Sequence, residues 1–164
     1  MENEMQIVAR NLGLAPVDLG NIFAKLGIDY CEEPIWSGES AWIERDGERF
    51  SVVVNSDESP VRMRFSAAHE LAHFLLHRDL MKVDGDRMNR HVDRLYGASI
   101  DAPGSRFTKA HEVQANRLAA QIVMPAALVR KEFAQNNDSA ALAKKFQVSK
   151  AAMEIRLKTL GLAS

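Results

Sequence analysis

The run "HELAHFLLH", residues 69–77, lies inside a segment whose apolar pattern reads as one helix, and no other feature constrains the fold as much. Ser59-Pro60 opens that segment. Val61, Phe65, Ala68, Ala72 and Leu75 follow at spacings of 4, 3, 4 and 3, the period of one helical face. The helix is predicted to end near His77, with His69 and His73 beside the apolar stripe. On such a helix those two residues are about 6 Å apart along the axis and roughly 40° apart around it, so both imidazoles can reach one ion. Zinc takes nitrogen ligands in a tetrahedral shell and can keep one position for water. Glu70 is rotated about 100° from His69, which places it to touch the metal's water rather than the metal. Zinc lowers the pKa of that water to about 7, and the glutamate takes its proton as the water attacks a carbonyl. The competing reading is an accidental five-residue match with solvated or packed histidines.

A third ligand decides between them. His77 is about 12 Å along the axis from His69, too far to share one ion when metal–nitrogen bonds are about 2.0–2.1 Å. It reads instead as a last-turn histidine that bonds free carbonyls and complements the helix dipole. A second helix over about 109–123, capped by Thr108, carries His111, Glu112, Gln114 and Asn116 beside Val113, Leu118, Ala119 and Ile122 as its inward stripe. Glu112 and Asn116 share a face. A carboxylate can ligate zinc, and an amide one turn on can hold a ligating histidine by its other ring nitrogen. His111 points about 100° away and is read as facing solvent. Spacing alone leaves His91, Asp93 and His111 as alternatives to Glu112.

Elsewhere, residues 3–12 read as a short helix with Ile7 and Val8 inward, and 16–26 as a second, with Pro16 in its first turn and Gly27 at its end. "AWIERDGERFSVVVN" reads as a β-hairpin with strands near 41–45 and 49–54 and a turn at Asp46-Gly47. Residues 79–107 are charged and weakly periodic, and read as a long loop with one short helix near 86–96. Pro125 ends the 109–123 helix and starts another that finishes near Gln135. Two short helices follow, capped by Asp138 or Ser139 and by Ser149, and the second ends at Gly161. Their connection has helix-turn-helix spacing.

With 164 residues, of which 46% are apolar and 26% charged, the chain suits one compact soluble domain with room for a small appendage. The division expected is 1–136 for the main domain and 137–164 for a helical tail packed on it. A net charge of −1 supplies no general field for nucleic acid. The single cysteine, Cys31, excludes an internal disulfide framework and fits a reducing cytoplasm. No signal peptide is read at the amino terminus, and no apolar run approaches membrane-spanning length.

Three ordered blocks, "RFSAAHELAHFLLH", "HEVQANRLAAQIVMP" and "ALAKKFQVSKAAMEIRLKTLGL", resemble the ImmA/IrrE family of zinc metallopeptidases over roughly residues 40–162. The resemblance implies an α+β, zincin-like domain: mostly helical, with a small antiparallel sheet and a helix-turn-helix-like tail. It places the zinc ligands on His69, His73 and Glu112 and the general base on Glu70. The family's E-x-x-A-N motif matches Glu112, Ala115 and Asn116, with Asn116 beside the ligands as in thermolysin-like enzymes, which have an aspartate there. Ser66, Ala72 and Ile122-Val123 stand where the family often has threonine, glycine and two leucines, changes that leave the chemistry untouched. Tyr96, His91, Arg94 and Arg106 match oxyanion donors by residue type only.

The favoured reading is a zinc endopeptidase in the cytoplasm. The resemblance implies a helix-turn-helix repressor or antitoxin as substrate, so that cleavage derepresses genes of phage, mobile-element, stress-response or toxin–antitoxin systems. An edge of the 41–54 hairpin could take the substrate by strand addition. The alternative is a DNA-binding or partner-binding regulator with a structural or silent zinc site. It is motivated by Lys144, Lys145, Lys150, Arg156 and Lys158 in the tail. A third possibility joins the two: a component kept inactive until a partner binds, with the 79–107 loop over the site.

Overall fold

The computed structural model describes residues 2–82, 86–90 and 107–163, the second stretch as backbone only. The short helix expected near 86–96 is corrected in its described part: residues 86–90 form a strand. His91, Asp93, Arg94, Tyr96 and Arg106 lie outside the described residues.

Helix α1 (Glu4–Arg10) buries Val8. Helix α2 (Leu19–Leu26) begins three residues later than Pro16 suggested, because the Asp18 side chain caps it by accepting from the Asn21 N–H, and Gly27 closes it at φ +72°. Four strands follow, interrupted by a long helix: β1 (Asp29–Glu33), β2 (Ala41–Asp46), β3 (Arg49–Asn55) and β4 (Asp86–Arg90). Their order in the sheet is β1-β3-β2-β4. The β2–β3 hairpin is antiparallel; Asp46 pairs with Arg49 as the last residue of β2, so the turn residues are Gly47 and Glu48 rather than the expected Asp46 and Gly47. Gly47 adopts φ +64°, which glycine accepts without steric cost.

The sheet is mixed rather than antiparallel throughout. β4 pairs antiparallel with β2, but β1 runs parallel to β3, Asp29 lying opposite Ser51. Parallel neighbours need a long crossover; here the chain leaves β1, forms β2 and returns in β3. This order also covers both edges of the hairpin. Strand addition to residues 41–54 is therefore ruled out by β1 and β4 themselves, and the two edges left open in the described sheet belong to β1 and β4.

Helix α3 (Pro60–His77) is capped by Ser59, whose hydroxyl accepts from the Arg62 N–H. Every residue from Phe65 to Phe74 is buried, so the single stripe expected is corrected to a helix covered all round. The sheet lies on one side, where the Phe50 and Phe74 rings meet edge to face at 5.0 Å. Helix α4 (Lys109–Val123) lies on another. Thr108 caps α4, and its inward face is Ala115, Ala119, Ile122 and Val123; Val113 is exposed instead. No helix among the described residues is long and apolar enough to cross a membrane.

Helices α5 (Ala126–Gln135), α6 (Ser139–Phe146) and α7 (Lys150–Thr159) complete the chain. Phe146, Met153 and Leu157 join the same buried cluster as Phe23, Ile43 and Phe65. Arg156 Nε donates to the Met124 carbonyl at 3.0 Å. Between α6 and α7, Gln147 adopts φ +56°, a conformation that costs a side-chain-bearing residue roughly 1–2 kcal/mol. Replacing it by glycine relieves that cost and restores a smaller entropy to the unfolded chain. Gln147→Gly is expected to stabilise by about 1 kcal/mol and raise the melting temperature by about 2–4 °C. Thermal unfolding checks this, and a lowered midpoint would refute it.

Candidate metal centre

Two antiparallel helices build the site. Residues 69, 73 and 77 recur every fourth position of α3, and its contacts with α4 run in the opposite sense, His69 meeting Asn116 and His77 meeting the His111 ring. His69, His73, His77, Glu70 and Glu112 are all buried. The structure brings His69, His73 and Glu112 together as one group able to hold a metal ion. His69 Nε2 lies 3.1 Å from His73 Nε2 and 3.0 Å from Glu112 Oε2, and His73 Nε2 lies 3.3 Å from Glu112 Oε1. Atoms bound tetrahedrally to zinc at about 2.0–2.1 Å are about 3.3 Å from one another, so the spacing fits that ion.

The chemistry of the donor set fits too. Asn116 Oδ1, an acceptor, stands 2.6 Å from His69 Nδ1, so Nδ1 carries the proton and Nε2 presents its lone pair to Glu112. A lone pair and a carboxylate facing each other at 3.0 Å in a buried site call for a cation between them. Glu70, next along α3, is fully buried and outside that cluster.

His77 departs from its expected place. It does not hold the free carbonyls at the end of α3. Arg78 Nη1 donates to the Phe74 carbonyl at 3.0 Å, and beyond the helix Arg45 Nη1 of β2 donates to the Arg78 and Met81 carbonyls at 3.2 and 3.4 Å. The His77 ring turns inward instead. Its Nδ1 is 2.9 Å from His73 Nδ1 and its Nε2 is 2.8 Å from Gln114 Oε1. Burial pushes its pKa below the ordinary histidine value, the His111 ring adding to this while the Gln114 bond pulls the other way. His111 is half-buried rather than fully solvent-facing; its Nδ1 accepts from the Thr108 N–H and closes a capping box.

Sequence reasoning missed Phe107 and gave Gln114 no role. The Phe107 ring stacks on His73, centroids 4.1 Å apart and planes 9° from parallel. A signal existed: Phe107 directly precedes the cap of α4, where an apolar residue usually packs against the fourth helical position, and that position is Glu112. With no apolar partner there, the ring covers the histidines. Gln114 is exposed and carried no such signal.

No curated protein matches the chain. A sequence model of the Peptidase M78 family, described as the IrrE N-terminal-like domain, matches residues 24–158. That span contains the hairpin, both site helices and most of the tail, and it bears out the resemblance to the ImmA/IrrE family. The chain belongs to the Peptidase M78 family of IrrE N-terminal-like domains.

Proposed function

We propose that the protein is a zinc-dependent endopeptidase that cleaves a cytoplasmic protein, a helix-turn-helix repressor or antitoxin, and so derepresses genes. The observation that carries the peptidase reading is the convergence of His69 Nε2, His73 Nε2 and the Glu112 carboxylate in a buried site, with Glu70 beside His69. Family membership supports it. The repressor or antitoxin target rests on the ImmA/IrrE resemblance.

In this reading His69, His73 and Glu112 hold the ion, and Asn116 fixes the His69 ring by accepting from Nδ1. When bound, zinc supplies Lewis acidity and a water acidic enough to lose its proton near neutral pH. Glu70 would accept a proton from the attacking water at its carboxylate and return it to the leaving amine as the peptide bond breaks. Its fully buried position shields the carboxylate from bulk water, which strengthens its interactions with the reacting groups.

The regulator reading draws on the tail's cations, but several are engaged within the fold. Lys145 pairs with Glu132 at 2.6 Å, Lys150 lies 3.7 Å from Glu154, and Arg156 turns in to a backbone carbonyl. Less of that charge is left to meet phosphates.

The experiment is incubation with a helix-turn-helix repressor encoded beside the gene, with and without chelator, followed by mass analysis. The expected result is a defined pair of fragments that the chelator abolishes. An intact repressor after incubation with zinc-loaded protein would contradict that substrate.

A further inference from the structure

Resting on the metal-centre reading above, we propose that His77 and Gln114 are positioning residues: together they set which ring nitrogen of His73 faces Glu112. The hydrogen-bond roles follow from one acceptor. Gln114 Oε1 accepts only, so His77 Nε2, 2.8 Å away, donates to it. In the neutral ring the other nitrogen, His77 Nδ1, then carries the lone pair. It lies 2.9 Å from His73 Nδ1, which must therefore donate. His73 is left with its lone pair on Nε2, the atom 3.1 Å from His69 Nε2 and 3.3 Å from Glu112 Oε1.

The opposite chain of roles has a definite consequence. A donor at position 114 would put the His77 proton on Nδ1 and make His73 Nδ1 the acceptor. His73 Nε2 would then carry a proton pointing at the place where the ion sits. The identity of the group at position 114, two hydrogen bonds away, thus decides whether His73 is ready to ligate. Histidine ligands are commonly fixed through their second nitrogen by a carboxylate, carbonyl or amide. His69 has Asn116 in that place. His73 reaches its amide through an intervening ring, because the next turn of α3 supplies His77. The stacked Phe107 ring holds the His73 plane, and its centroid is 5.6 Å from that of His77, so ring orientation is fixed by packing and proton placement by hydrogen bonds.

Zinc affinity of the full chain, measured by competition with a chromogenic chelator, and the visible spectrum of the cobalt(II)-loaded protein test this. Gln114 is exposed, so its variants preserve packing. Gln114→Glu keeps an acceptor and should bind zinc at least as tightly as the wild type, since a carboxylate in an orienting position raises ligand basicity. Gln114→Lys supplies only a donor and should weaken zinc binding by about 10–100-fold, the usual loss when a ligand's orienting partner is removed. His77→Phe, which fills the space without the relay, should weaken it to a similar extent. A merely structural role would not separate acceptor from donor at an exposed position. Wild-type-like zinc affinity in both Gln114→Lys and His77→Phe would overturn the relay while leaving the metal centre standing. Failure of the wild-type protein to bind zinc would overturn both.

Discussion

Glu70→Gln is expected to keep zinc and lose hydrolysis. The substitution conserves volume at a fully buried position and leaves the His69, His73, Glu112 group untouched, so one zinc per chain is the expected content. The amide cannot accept the proton from water, and general-base assistance of this kind is worth about 10²–10⁴-fold in rate. Turnover of the proposed repressor substrate, measured beside metal content on the same sample, checks both halves. Cleavage at the wild-type rate would place the base elsewhere. Loss of zinc would show that Glu70 is a ligand.

Removing the carboxylate at position 112 acts on the metal instead. Glu112 is the only anion in the group of three, and Glu112→Gln leaves two imidazoles and a weak amide ligand. Zinc affinity should fall by more than the roughly 10–100-fold that follows loss of an orienting partner, and hydrolysis falls with it. Stability moves in two directions. In metal-free protein, the variant exchanges a buried carboxylate facing two imidazole nitrogens for an amide that can donate to them, so its melting temperature should equal or exceed that of the wild type. Added zinc at about 100 times its dissociation constant stabilises a binding protein by about 2.7 kcal/mol, and this gain should appear in the wild type alone. Calorimetric scans with and without zinc check the crossing. A zinc-induced rise of equal size in Glu112→Gln would remove Glu112 from the ligand set.

The parts legible in the sequence are those set by local chemistry. Ser59-Pro60 starts α3 and Thr108 starts α4 because a side-chain oxygen must serve free N–H groups there. Gly47 turns the hairpin because the turn needs a positive φ. The separation of His77 from His69 along one helix excluded it from a shared ion by helical rise alone. What was illegible depends on partners distant in the chain. Strand β1 reads "DYCEE" and β4 reads "DRMNR", both polar and without apolar alternation. They are strands because β3 and β2 offer them free edges, and strand preference depends strongly on such surroundings. His77 carried every local sign of an exposed helix end, and only the approach of α4 and Phe107 turns it into the site. The choice of Glu112 over the alternatives came from the family's motif; helix geometry permitted it without selecting it.

X-ray absorption at the zinc edge of the purified protein tests directly the proposed binding of zinc by two imidazoles and one carboxylate. The expected result is one zinc per chain with two imidazole nitrogens at about 2.0–2.1 Å, and oxygen from a carboxylate and water at about 2.0–2.2 Å. A three-imidazole shell, a sulfur ligand, or protein that purifies and reconstitutes without zinc would contradict it.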